Sequence, residues 1–152
     1  MSQKMTRAAN WLGIWPSSTI ILVPIVRDFK NLLIWQRAHR LAIDAHHALD
    51  APRAAGSAAT RNQLQRALAS IPANIAEGAG RRSDPEFARY LDIALGSAKE
   101  AENHLLFARD IGWLSHDRHA ELDGELGEIR KMLFAFARTV RTRGEGSPRR
   151  SG

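Results

Sequence analysis

Residues 63–101 read QLQRALASIPANIAEGAGRRSDPEFARYLDIALGSAKEA, and the fold turns on how this stretch is parsed. Leu64, Leu68, Ile71 and Ile75 follow the four-three-four spacing of a packed helical seam. Pro72 falls inside that pattern and removes one backbone donor, which predicts a kink rather than a break. Gly78 stands where a left-handed residue closes many helices. Ser83-Asp84-Pro85-Glu86 then combines an N-cap serine, a glutamate three residues on and a proline in the first turn. From there Phe87, Leu91, Ala94, Ala98, Ala101, Leu105 and Ala108 mark one face, and Gly112 closes it. Two helices therefore meet at Gly78–Arg82, antiparallel, with Arg81 and Arg82 at the bend.

The same signals continue in both directions. Upstream, a helix is expected from Asp28–Asn31 to Leu49. Trp35, Ala38, Ala42, Ala45 and Leu49 step by three and four, with Ile34, Leu41 and Ala48 widening the stripe. Asp50-Ala51-Pro52 ends it, because the residue before a proline avoids the helical region. Downstream, Ser115 is the expected cap of a fourth helix, in which Leu122, Leu126, Ile129, Leu133, Phe136 and Val140 alternate four and three. Short connections between four such helices predict an all-α, antiparallel up-down-up-down four-helix bundle over residues 28–143. Residues 144–152 lack the apolar content to order themselves and are read as a disordered tail. Residues 1–27 are read as an N-terminal extension outside the core. It is an upstream translation product with the native start near Val23 or Val26, a peripheral membrane contact, or an arm on a partner. Its longest clean apolar run is too short to span a bilayer, so stable membrane insertion is not expected.

The chain has 152 residues, no cysteine and a net charge of +6. Without cysteine it has neither a disulfide framework nor a thiolate metal site, which suits a reducing cytoplasm. Residues 28–143 hold 17 Lys/Arg and 15 Asp/Glu, so most of the positive excess lies outside the expected bundle. Basic composition alone therefore says little about nucleic acid. Its placement says more. In an up-down bundle the start of helix one, the bend between helices two and three, and the end of helix four share one end. That end gathers Lys30, Arg81, Arg82, Arg138, Arg141 and Arg143, which become candidate phosphate contacts. The opposite end carries Asp50, Asp110, Asp117, Glu121, Asp123 and Glu125. The plain alternative is that cations favour helix C-termini. It accounts for Arg138–Arg143 better than for Arg81 and Arg82.

Several segments together resemble the four helix bundle proteins, also called 23S rRNA-intervening-sequence proteins. They are Phe29–Gln36 (FKNLLIWQ), Gln63–Ala67 (QLQRA), Ser70–Gly78 (SIPANIAEG), Phe87–Leu91 (FARYL) and Ala94–Glu100 (ALGSAKE). The resemblance implies an all-α protomer that assembles as a homopentamer, with no known enzymatic activity; no cofactor is expected. The implied fold is also similar to the accessory protein of diversity-generating retroelements, which partners a reverse transcriptase and nucleic acid. The sequence departs from the family pattern at Asp50–Ala59 and at Ala79.

Arg66, Ser70, Asn74 and Glu77 lie on consecutive turns of helix two, and Ser97 and Glu100 one turn apart on helix three. With Trp35 and Tyr90 they are expected to form a polar network or an inter-subunit seam, not a catalytic centre, since no nucleophile is paired with a base. The histidines do not form a di-iron pattern, because no Glu-x-x-His occurs in the sequence. His116 and His119 are expected on a wet surface at the start of helix four.

Overall fold

In the computed structural model, which describes residues 28–49 and 58–145, four helices make up nearly all of the described chain: α1 (Leu33–Leu49), α2 (Ala58–Ala79), α3 (Asp84–Asp110) and α4 (His116–Glu145). They form an all-α four-helix bundle. Each helix packs on two neighbours, α1 on α2 and α4, α3 on α2 and α4. The expectations for residues 1–27, for Asp50–Pro52 and for 146–152 lie outside the described residues. Gly144 and Glu145, which the composition assigned to the tail, belong to α4.

The helix starts follow their caps. Asp28 accepts from the Lys30 N–H at 3.1 Å and opens a 3-10 turn over Phe29–Asn31, so α1 proper starts at Leu33. Ser83 Oγ accepts from the Glu86 N–H and donates to the Glu86 carboxylate at 2.8 Å. Ser115 Oγ accepts from the Arg118 N–H at 3.1 Å. At the far end of α3, Gly112 adopts φ +80°, its N–H reaching Arg109 O while the Trp113 N–H reaches Ala108 O at 2.8 Å. This paired bonding is a Schellman closure, and the left-handed φ is why glycine stands there.

Gly78 corrects the sequence reading. It lies inside α2, which runs on to Ala79, and Gly112 is the one glycine with positive φ among the described residues. The reason for glycine at 78 is close approach. A Cβ there would sit 2.6 Å from Tyr90 Cβ and 2.8 Å from Phe87 Cδ2. The hydrogen at residue 78 thus sets how near α3 can come to α2. α2 passes through Pro72 without a break, and Pro72 is buried.

The core follows the apolar rows with small shifts. Leu64, Leu68, Ile71 and Ile75 are buried on α2, and every residue of the expected α3 face is buried. On α1 the buried row is Ile34, Ala38, Leu41, Ala45 and Leu49, so Trp35, Ala42 and Ala48 lie at its edge, half-buried. On α4 Ala137 is buried beside Val140, and Phe136 is half-buried with its ring edge-on to Phe87 at 5.4 Å. His119 is buried, against the expectation of a wet surface, while His116 is exposed.

Cross-helix bonds fix the register. Arg37 holds Glu125 with two bonds of 2.7 Å, and Arg118 reaches the Asp44 carbonyl, tying α1 to α4. Arg130 meets Glu102 at 2.8 Å, and Arg141 meets Asp92, tying α4 to α3. His46 meets Gln65 at 3.0 Å between α1 and α2. For α1 with α4 and for α3 with α4, residue numbers rise on one helix as they fall on the other, the register of antiparallel neighbours. The hydrogen bond from Lys99, with Arg130 beside it, holds the Glu102 carboxyl below the usual carboxylate range.

Two stability outcomes follow from these contacts. Gly78→Ala is expected to lower stability by about 1–3 kcal/mol, because the new Cβ meets backbone-anchored atoms. Gly124→Ala on α4, where an added Cβ meets nothing within 4 Å, is expected to raise it by about 0.5–1 kcal/mol. Urea denaturation reads both. Because Glu102 binds its proton less readily folded than unfolded, its contribution is present at neutral pH and fades as pH falls through about 4.3 and below. The stability gap between the parent chain and Glu102→Gln should therefore close between pH 6 and pH 3.

Candidate nucleic-acid interface

The bend between α2 and α3 is short because both helix ends are satisfied locally. Gly80 N–H reaches Ala76 O and Glu77 O, Arg81 N–H reaches Gly78 O at 3.0 Å, and Ser83 caps the next helix. The C-terminal end of α4 lies against this bend. A Cβ on Gly144 would stand 3.2 Å from Pro85 Cδ, and Arg143 approaches Asp84 at 3.9 Å. The Phe29–Asn31 turn packs on α2. Since His46 meets Gln65 and His39 lies beside Pro72, the α1/α2 register carries Lys30 toward the C-terminal end of α2.

Within this end the six candidate cations divide by partner. Arg81 bonds the Glu77 carboxylate, donates to Tyr90 OH at 2.6 Å, and lies 4.7 Å from the Tyr90 ring centroid. It is half-buried and holds the bend to α3, a structural duty that the sequence reading gave to phosphate contact. Arg141 is engaged by Asp92 and Arg143 by Asp84. Lys30, Arg82 and Arg138 are exposed, and no ion pair is formed by Arg82 or Arg138 among the described residues. Lys30 lies 5.9 Å from the Phe29 ring centroid. The free positive charge of this end is therefore smaller than its arginine count suggests.

The expected polar network is assembled in part. Ser70 Oγ and Ser97 Oγ lie 2.7 Å apart, Asn74 Nδ2 donates to Ser70 O at 2.8 Å and to Ser70 Oγ at 3.0 Å, and Ser97 Oγ reaches Ile93 O. This chain of bonds satisfies hydroxyls inside the α2–α3 contact. Arg66 and Glu100 line an open groove beside it with Gln63 and Ser70. Glu100 lies 3.7 Å from His104. Glu77 and Tyr90 belong to the Arg81 cluster. Trp35 stands apart on α1, stacked on His39 at 4.8 Å and edge-on to Phe29 at 4.9 Å.

Among the described residues no group of three His, Cys, Asp or Glu is placed to hold a metal ion. No described helix is long and apolar enough to cross a membrane. The bidentate Arg37–Glu125 pair was missed by the sequence reading. Its members are 88 residues apart, and no local spacing signals them.

With the fold and this end in place, the profile of the 23S rRNA-intervening sequence proteins matches residues 30–135. The chain belongs to that family. The 23S rRNA-intervening sequence fold is also similar to a solved crystal structure from Bacteroides thetaiotaomicron, a protein of unknown function from the S23 ribosomal protein family. The two share 21% identity with a TM-score of 0.65, covering 69% of this chain and 98% of that one. At that identity the likeness concerns the fold. No curated protein matches the chain.

The different duties of adjacent arginines give a direct contrast. Arg81→Ala is expected to lower the thermal midpoint, because it removes a charge-assisted bond and a cation–π contact worth about 1–2 kcal/mol together. Arg82→Ala is expected to leave the midpoint within about 1 °C, as surface changes of a few tenths of a kcal/mol do. Calorimetry on the two variants measures the difference.

Proposed function

We propose that this chain is a non-enzymatic, oligomeric nucleic-acid-binding protein that holds RNA or DNA through the cationic end of its bundle. What supports the reading is that the helix register carries exposed cations from three segments toward one end. Lys30 comes from the 3-10 turn, Arg82 from the α2–α3 bend and Arg138 from α4, all exposed. Arg141 and Arg143 stand behind them, each already held by a carboxylate, so they shape the patch more than they charge it. Point charges on separate elements suit a phosphate backbone and give no reason for base readout. Assembly as a homopentamer, which the family resemblance implies, would repeat the patch around a ring, and the absence of cysteine suits a reducing cytoplasm.

A second reading has its own support. The groove between α1 and α2 is lined by His39, Ala42, Ile43, His46, Ala69 and Pro72, none of them Lys, Arg, Asp or Glu. Such a surface suits protein rather than phosphate. In that reading the chain is an assembly or adaptor protein for a partner such as a reverse transcriptase.

Fluorescence anisotropy with a labelled single-stranded RNA separates the two. If three cations per protomer engage phosphates, affinity falls roughly twenty-fold between 50 and 200 mM salt. The combined variant Lys30→Glu, Arg82→Glu, Arg138→Glu is expected to lose binding to all sequences alike. Salt-independent binding, or binding that survives the three reversals, would contradict the proposal.

A further inference from the structure

A run of ring contacts leads from the cationic end onto α1. Lys30 Nζ lies 5.9 Å from the Phe29 ring centroid, and Phe29 meets Trp35 edge-on at 4.9 Å. Trp35 in turn lies parallel to His39, with 4.8 Å between centroids and 10° between planes. Residues 35 and 39 are one turn apart, so the two rings stack along one row of the helix. Trp35 is half-buried against the core, whereas His39 is exposed. The indole covers one face of the imidazole, and His39 also borders the open groove between α1 and α2.

That groove, of about 260 Å³, continues the row. Ala42, Ile43, Ala69 and Pro72 supply its apolar walls, and His46 lines it one turn beyond Ala42. No Lys, Arg, Asp or Glu lines it, although 25% of the chain is charged. Ile43 is 43% exposed there. The polar groups at hand are the His46 ring and the Gln65 amide, 3.0 Å apart. From residue 35 to residue 46 the row runs about 16 Å. A cation, a stack of rings and an uncharged apolar channel therefore follow one another along α1.

This order matches the parts of a nucleotide. A phosphate finds a partner at Lys30 and none in the groove. A base is flat and uncharged, so it gains ring-on-ring and apolar contact there without leaving a charge unpaired. A duplex keeps its base faces stacked inside the helix, whereas a single strand can turn them outward onto aromatic side chains, histidine included. We infer that Trp35, His39 and the α1/α2 groove seat unpaired bases of a single-stranded nucleic acid whose backbone is held at Lys30. The inference rests on the nucleic-acid part of the proposed function and narrows its ligand to single strands. Stacking accepts every base, so the seat selects strand state without reading sequence. Continuity with Lys30 and the parallel Trp35–His39 stack favour a base over a protein side chain as the occupant.

Two short DNA probes of equal phosphate count test it on the full chain by fluorescence anisotropy, one an oligothymidylate and the other an abasic strand. The parent chain is expected to bind the strand with bases at least about fivefold more tightly, the gain from one stacked base. His39→Ala is expected to bring that ratio close to one, and His39→Phe, which restores a ring, to recover it. Circular dichroism checks that both variants keep the parent helicity. Equal affinity of the parent for the two probes, an unchanged ratio in His39→Ala, or no recovery in His39→Phe would overturn the seat. The cationic end would then still stand on the Lys30, Arg82 and Arg138 reversals, and the groove would be left to a protein partner. A parent chain that binds neither probe at low salt would remove the nucleic-acid reading itself, and the seat with it.

Discussion

The hydrogen atom that stands for a side chain at residue 78 governs how closely α3 packs on α2. It lets Phe87 and Tyr90 press against the backbone of α2, where a methyl group would collide with both. Below that point alanines at 94, 98, 101 and 108 keep α3 close to its neighbours, and all are buried. The tight α2–α3 pair then decides what happens at the bend. Arg81 is drawn over Tyr90 and onto Glu77, while Arg82, one residue on, is left exposed. The neighbours differ in burial, hence in what each does.

The same packing arranges the charges. The first turn of α3 brings Asp84 to Arg143, and the next turns bring Asp92 to Arg141, so the end of α4 is held along α3 by its own arginines. These half-exposed pairs contribute little stability, about 0–1 kcal/mol each. Their larger effect is to neutralise part of the cationic end, which leaves Lys30, Arg82 and Arg138 as its exposed cations without an ion pair among the described residues. Around the bundle the faces then divide. The α1/α4 side is laced with pairs such as Arg37–Glu125, Arg118–Glu121 and Lys131–Glu128, whereas the α1/α2 groove has no such residue in its lining.

Much of this was legible in the sequence because it depends on local spacing. The rows of α2 and α3, and the serines at 83 and 115, needed nothing beyond three- and four-residue steps and a side-chain oxygen in the right place. What was not legible depended on neighbours distant in the chain. Gly78 looks like a helix terminator until Tyr90 is beside it. Arg81 and Arg141 look like free cations until Glu77 and Asp92 are found on the faces they meet. His119 looks like a surface residue because polar neighbours surround it in sequence, yet it lies one turn before Leu122 on the inward row. Ser70, Asn74 and Ser97 meet across the α2–α3 contact, whereas Trp35, grouped with them from the sequence, lies in an aromatic stack with His39 and Phe29.

The proposed anion-binding end draws on three segments distant in sequence. Hydrogen–deuterium exchange with and without a short single-stranded RNA tests it most directly. Protection at residues 28–31, 80–84 and 136–145 is the predicted result. Protection centred on 108–118 at the opposite end, or an unchanged pattern at saturating RNA, would contradict it.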